Sequence, residues 1–168
     1  GHSAWNTKNI SSWDLSLDGA AELNTYLNAS PNVFYFSYTF SATSKNRVTG
    51  YHTPDKDVFL LIRSRAKLIG SRVVFTDNGS ATDSTWWEND GIVNSRSMRG
   101  PTTGKNGADL IVEYQASKPL MRGRWYTFEP IKLDHYQSVG HMISREKRSI
   151  LDSMYVNHAK LLWSLPKD

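Results

Sequence analysis

The chain of 168 residues contains no cysteine. That absence excludes a disulfide framework, a thiolate nucleophile and a zinc–thiolate centre, and it leaves secretion open. No apolar run approaches the roughly 20 residues that span a bilayer, and no secretory leader is visible. There is no internal repeat and no linker-like stretch, so residues 4–168 are expected to form a single domain. Gly1-His2-Ser3 looks like an expression scar. A strong charge of one sign is also lacking. Twenty Lys and Arg stand against sixteen Asp and Glu, a net charge of +4. The one basic cluster, Arg145-Glu146-Lys147-Arg148, reads as a solvated face, and no nucleic-acid partner is expected. Nucleotide binding is not expected either: in Gly104-Lys105-Asn106 the spacing of a phosphate loop fails.

Aromatic residues are plentiful, with six Trp and eight Tyr, as suits a globular core. Ser16 can cap a helix over residues 17–28, which Ser30-Pro31 stops. Residues 32–40 carry aromatic and β-branched side chains at both parities, so this strand is expected to be covered on both faces. Helix followed by buried strand predicts an α/β fold. Residues 41–57, polar and containing Gly50 and Pro54, read as a long loop. A helical period runs over 58–69, with Gly70 as its C-cap. Residues 73–85 are irregular around the turn-forming Asp77-Asn78-Gly79, and 97–107 read as loop. Short strands are expected at 110–114 and 123–128. A long helix follows over 145–163, with Ile150, Leu151, Met154, Tyr155, Leu161 and Leu162 on its inner stripe and Pro166 beyond its end. His158 lies on the same stripe and is expected to be a packed core histidine.

The densest chemistry lies in Trp86-Trp87-Glu88-Asn89-Asp90-Gly91-Ile92-Val93. Asn89-Asp90-Gly91 is a tight-turn sequence, because glycine enters the left-handed region freely. Forty-five residues after Asp90 stands His135, in Leu133-Asp134-His135-Tyr136. A loop carboxylate can orient a histidine base, and acyl transfer needs such a pair beside a nucleophile. Acid before histidine, each after a strand, is the chain order of α/β-hydrolases. On the residues alone two plainer readings stay open: a solvated Asx-turn at Asp90 and an ordinary surface histidine at His135. No nucleophile elbow, G-x-S-x-G, occurs. Gly1-His2-Ser3-Ala4-Trp5 begins like one, but Trp5 fills the place of the second small residue and no strand precedes it.

Several runs together carry a family resemblance. They are Trp13-Asp14-Leu15-Ser16-Leu17-Asp18-Gly19-Ala20, Ser30-Pro31-Asn32 before Tyr35-Phe36-Ser37-Tyr38, Trp87 to Ser95 with Gly100-Pro101, Gly123-Arg124-Trp125, and Leu133-Asp134-His135 with Gly140. Across nearly its whole length the sequence resembles the C-terminal half of bacterial lipases of the Staphylococcus–Geobacillus type, α/β-hydrolases acting on triacylglycerols. The resemblance implies the C-terminal half of an α/β-hydrolase sheet with flanking helices and long loops. It implies Asp90 as the triad acid and His135 as the base. The nucleophilic serine would come from an N-terminal half or a partner chain, and secretion would be expected. Asp14 matches one ligand of the family's zinc site, whose other ligands would lie in that other half, so a single Asp makes no site by itself. Gly50 matches a carbonyl ligand of the family's calcium site. Gln137, Met142 and Ile143 replace the Glu, Asp and Pro of that site, so calcium is expected to be lost.

No cofactor is therefore expected of this chain. Lipid or ester is the expected substrate. The partner is expected to be an N-terminal lipase half or a second copy, since half a sheet leaves strand edges exposed. The alternative is a half-hydrolase that has lost its chemistry and serves as a binding module. Three N-x-S sequons, at Asn9, Asn28 and Asn78, would permit glycosylation in a eukaryotic secreted relative; chance occurrence in a Ser- and Asn-rich chain is the favoured account.

Overall fold

The computed structural model describes residues 8–77, 79–102 and 107–166. Gly1-His2-Ser3, Asn78 and Lys105-Asn106 lie outside the described residues. In chain order the elements are α1 (Ser11–Asp14), α2 (Leu17–Tyr26), β1 (Tyr35–Ser37), β2 (Thr43–Lys45), β3 (His52–Pro54), α3 (Leu60–Ile69), β4 (Ile111–Glu113), β5 (Trp125–Thr127) and α4 (Arg145–Ser164). Short 3-10 turns join several of them.

The aromatic positions build the sheet. Its order is β1-β5-β4, and both pairings are parallel. Tyr35 lies opposite Trp125, and their rings stack at 4.8 Å. Phe36 lies opposite Tyr126, with ring centroids 5.9 Å apart. Cross-strand aromatic pairs of this kind contribute about 0.5 kcal/mol or more each. Beyond Ser37 the chain leaves the ladder and touches it again only at the Phe40–Ile131 bridge, so the strand is shorter than the aromatic run suggests.

Both faces are covered, as the two parities required. Tyr35 and Trp125 face a cleft lined by Leu17, Ala20 and Ala21 of α2. Phe36 and Tyr38 meet the ring of His158 on α4 edge-on. The Nδ1 of His158 also bonds the Tyr38 hydroxyl at 3.2 Å, so this histidine is a packing residue. Helices on both faces of a parallel sheet make the fold α/β.

Two expectations need correction. Residues 41–57 are not structureless: Thr43–Lys45 and His52–Pro54 pair antiparallel as a hairpin. Gly50 sits in its turn at φ +75°, with its N–H on the Asn46 carbonyl. Helix α3 packs against this hairpin so closely that a Cβ on Gly70 would lie 2.0 Å from the His52 carbonyl oxygen. The α4 stripe is also narrower than its sequence. Leu151 and Met154 are buried with Leu133, against Tyr38, Phe40 and Ile131. Ile150, Tyr155 and Leu162 are exposed. A second small cluster, Ala42, Val58 and Ile62 with Ile92, lies under α3. The two clusters contribute the segments that hold the site. Among the described residues, no helix is long and apolar enough to cross a membrane.

Candidate active site

Asn89-Asp90-Gly91 forms the tight turn its composition dictates. Gly91 adopts φ +99°, and a Cβ there would lie 2.6 Å from Cδ1 of Ile62. Strain and overlap act together at this position. Gly91→Ala is expected to lower the unfolding free energy by about 3 kcal/mol. A urea titration checks this, and a loss below about 1 kcal/mol would show that the turn yields. Asn89 is fully buried and anchors the turn from behind. Its side-chain amide donates to the carbonyls of Ala66 (3.1 Å) and Trp87 (2.8 Å), and its Oδ1 accepts the N–H of Gly91 at 2.9 Å. On the backbone, the carbonyl of Asn89 accepts the N–H of Ala42 at 2.8 Å.

Asp90 is 1% exposed. Its two carboxylate oxygens do different work. Oδ1 accepts the N–H groups of Ile92 (2.9 Å) and Val93 (2.7 Å). Oδ2 faces Nδ1 of His135 at 2.8 Å. A second bond, from the His135 N–H to the Asp90 carbonyl at 2.9 Å, fixes the two backbones together. The Asx-turn at Asp90 is therefore buried rather than solvated, and His135, though half-exposed, is tied to it by two bonds. A carboxylate opposite Nδ1 holds the proton on that nitrogen and leaves Nε2 as the basic one. The imidazole side chain is 45% exposed, which leaves its outer edge open to a reacting group.

The support beneath His135 was not foreseen from the amino-acid sequence. Asp134 is fully buried. Its Oδ2 accepts the N–H of Phe59 at 2.8 Å, and its Oδ1 accepts those of Tyr136 (3.0 Å) and Gln137 (2.9 Å). Gln137 reciprocates: its Oε1 accepts the Asp134 N–H at 3.0 Å. Asp134-His135-Tyr136-Gln137 is thus a capping box, with His135 held inside it. The spacing of an N-cap acid and a Gln three residues later was visible in the sequence.

A sequence profile of the lipase-like, C-terminal domain family matches residues 2–162. The chain belongs to that family.

Among its relatives, the lipase of Staphylococcus hyicus is 26% identical over 156 residues, and lipase 2 of Staphylococcus aureus is 32% identical over 138. These alignments take in 92% and 81% of this chain, but only 22% and 18% of the relatives. The chain thus spans about a fifth of the length of those curated relatives. In structure it is similar to EstA from Clostridium botulinum, at TM-score 0.76 and 32% identity, over 90% of this chain and 35% of the other. It is likewise similar to the crystal structure of Staphylococcus hyicus lipase, at TM-score 0.77 and 25% identity, over 95% and 38%.

Of the other positions singled out in this lipase-like domain, only Gln137 belongs to the His135 turn by the hydrogen bonds above. Asp14 is the exposed last residue of α1. Gly50 is in the β2–β3 turn, with open space where a Cβ would point. Met142 is 60% exposed. Among the described residues, no group of three His, Asp or Glu side chains is placed to hold a metal. Gln137 is buried, and its Oε1 takes the ammonium of Lys147 at 2.9 Å. Lys147 is 18% exposed by side chain, so the basic cluster at the start of α4 is not a wholly solvated face.

Proposed function

We propose that Asp90 and His135 are the acid and base of a secreted serine ester hydrolase acting on acylglycerol or related esters. The nucleophile would be supplied by an N-terminal segment or a partner chain. The observation that carries this reading is the 2.8 Å contact between Oδ2 of the buried Asp90 and Nδ1 of the half-exposed His135. In the reaction, Nε2 of His135 takes the serine hydroxyl proton as the oxygen attacks the ester carbonyl. The imidazolium so formed keeps its Nδ1 proton, and Asp90 stabilises its charge. Nε2 then gives its proton to the leaving alcohol, and the same cycle with water releases the acid. Family membership supports the reaction class, and the turn geometry supports the two roles. No metal and no nucleic acid enters this reading.

The test takes the parent gene product. A G-x-S-x-G upstream of Ala4, with ester hydrolysis that His135→Ala lowers by about a thousandfold or more, is the expected result. Hydrolysis that survives His135→Ala would overturn it. A parent product without a nucleophile and without activity would leave the binding-module alternative in its place.

A further inference from the structure

We infer that Lys147 is the positioning residue of the His135 turn, its ammonium acting as a tethered cation that fixes Gln137 and, through Gln137, the backbone on both sides of His135.

The chain of contacts is continuous. Gln137 is 3% exposed and every polar atom of its side chain is used. Its Nε2 donates to the Asp57 carbonyl at 3.0 Å. One lone pair of its Oε1 takes the N–H of Asp134, and the other takes Nζ of Lys147. Both sites of an amide oxygen are then filled, so the amide cannot flip without facing Asp57's carbonyl with an oxygen. Lys147 also pairs with the Asp57 carboxylate. Burial pushes the Asp57 carboxyl up, but the hydrogen bond and charge of Lys147 outweigh it and bring the group below its ordinary range.

Helical spacing puts Lys147 in this place. Lys147, Leu151 and Met154 share one face of α4, and the two apolar residues are packed against Leu133. The segment that leads into His135 and the helix that carries Lys147 are thereby locked in register. Arg148 adds a second tie, donating to the Gly140 carbonyl at 2.7 Å.

The lipase resemblance would place a divalent cation near Gln137, and the residues present do not fit one. A neutral amide stands there instead of a carboxylate, Met142 offers a thioether, and an ammonium already holds the amide oxygen. Hard dications need carboxylate oxygens, and a second positive charge beside Lys147 would be repelled.

The catalytic meaning of this clamp rests on the role proposed for His135, but the clamp is measured without catalysis. The measurement is NMR of the 168-residue chain, following solvent exchange of the His135 Nδ1 proton, with backbone amides of α2 as internal reference. In Lys147→Met the Nδ1 proton is expected to exchange about tenfold faster while the α2 amides keep their rates. Lys147→Arg keeps the charge and is expected to stay within about twofold of the unmodified chain. Millimolar calcium chloride is expected to change nothing. An unchanged rate in Lys147→Met, an equal rise in α2, or slowing by calcium would each overturn the inference. Should Lys147→Met not fold, Asp57→Asn gives the second reading. It is expected to speed exchange about threefold, and no rise there overturns the clamp. Failure of the ester-hydrolase reading would leave all these exchange rates as predicted.

Discussion

On the roles proposed for Asp90 and His135, Asp90→Asn is expected to lower kcat for ester hydrolysis by the parent gene product about ten-thousandfold, while the fold and KM change little. The surrounding turn decides which way the amide points. The N–H groups of Ile92 and Val93 both converge on Oδ1. They will hold the carbonyl oxygen of Asn, because an amide NH2 there would oppose two donors. The NH2 is then left where Oδ2 stood, 2.8 Å from Nδ1 of His135. A donor at that point requires Nδ1 to accept. The ring proton moves to Nε2, and the nitrogen meant to take a proton already carries one.

Two measurements read this. The first is kcat of the parent gene product on a chromogenic ester. The second needs no nucleophile: nitrogen-15 shifts of His135 in the 168-residue chain should exchange the protonated and unprotonated signatures between Nδ1 and Nε2. A variant within about tenfold of the unmodified kcat would show that Asp90 does not set the tautomer. An unchanged nitrogen spectrum would show the same for the geometry alone.

The two halves of the Asp90–His135 contact were legible one at a time, and only the family resemblance joined them. Asn-Asp-Gly specifies a turn by itself, and acid before histidine after separate strands specifies an order. The distance between them is tertiary, and no local pattern contains it. The sheet was legible where aromatic residues fill both parities, yet its strands came out three residues long. Residue type marks where a strand lies but not its ends: the expected 32–40 shrank by three residues on each side, to Tyr35–Ser37. The hairpin at β2 and β3 was illegible for a different reason. Thr43-Ser44-Lys45 and His52-Thr53-Pro54 show no apolar alternation, and a proline argues against a strand unless it lies at an edge.

Lys147 shows the same limit on the helix. In sequence it belongs to a charged run, and only the packing of Leu151 and Met154 against Leu133 reveals that its face turns inward. The exposed Ile150, Tyr155 and Leu162 are the converse. α4 is apolar over more of its circumference than this chain covers, so periodicity alone cannot select the buried stripe.

The largest stability effect is expected at Asp134. Asp134→Ala should lower the unfolding free energy by about 4 kcal/mol, since three buried or half-buried N–H groups lose their acceptor at roughly 1 kcal/mol or more each, and a void is added. Phe59 is the residue at the N-terminal boundary of α3, and that helix has no side-chain cap of its own. The carboxylate that takes its N–H comes from the histidine turn, 75 residues away in sequence. The same substitution therefore frees the start of α3 and opens the capping box around His135. Asp134→Asn separates the two effects. Its Oδ1 can still accept from Tyr136 and Gln137, while its NH2 must face the N–H of Phe59, so a loss of about 2 kcal/mol is expected. Urea unfolding measures both, with unchanged m-values showing that the folded state keeps its compactness. A loss below about 1 kcal/mol in Asp134→Ala would mean that water replaces the carboxylate freely. The full burial of Asp134 and the 5.3 Å contact between the Phe59 and Tyr136 rings beside it leave little room for that water.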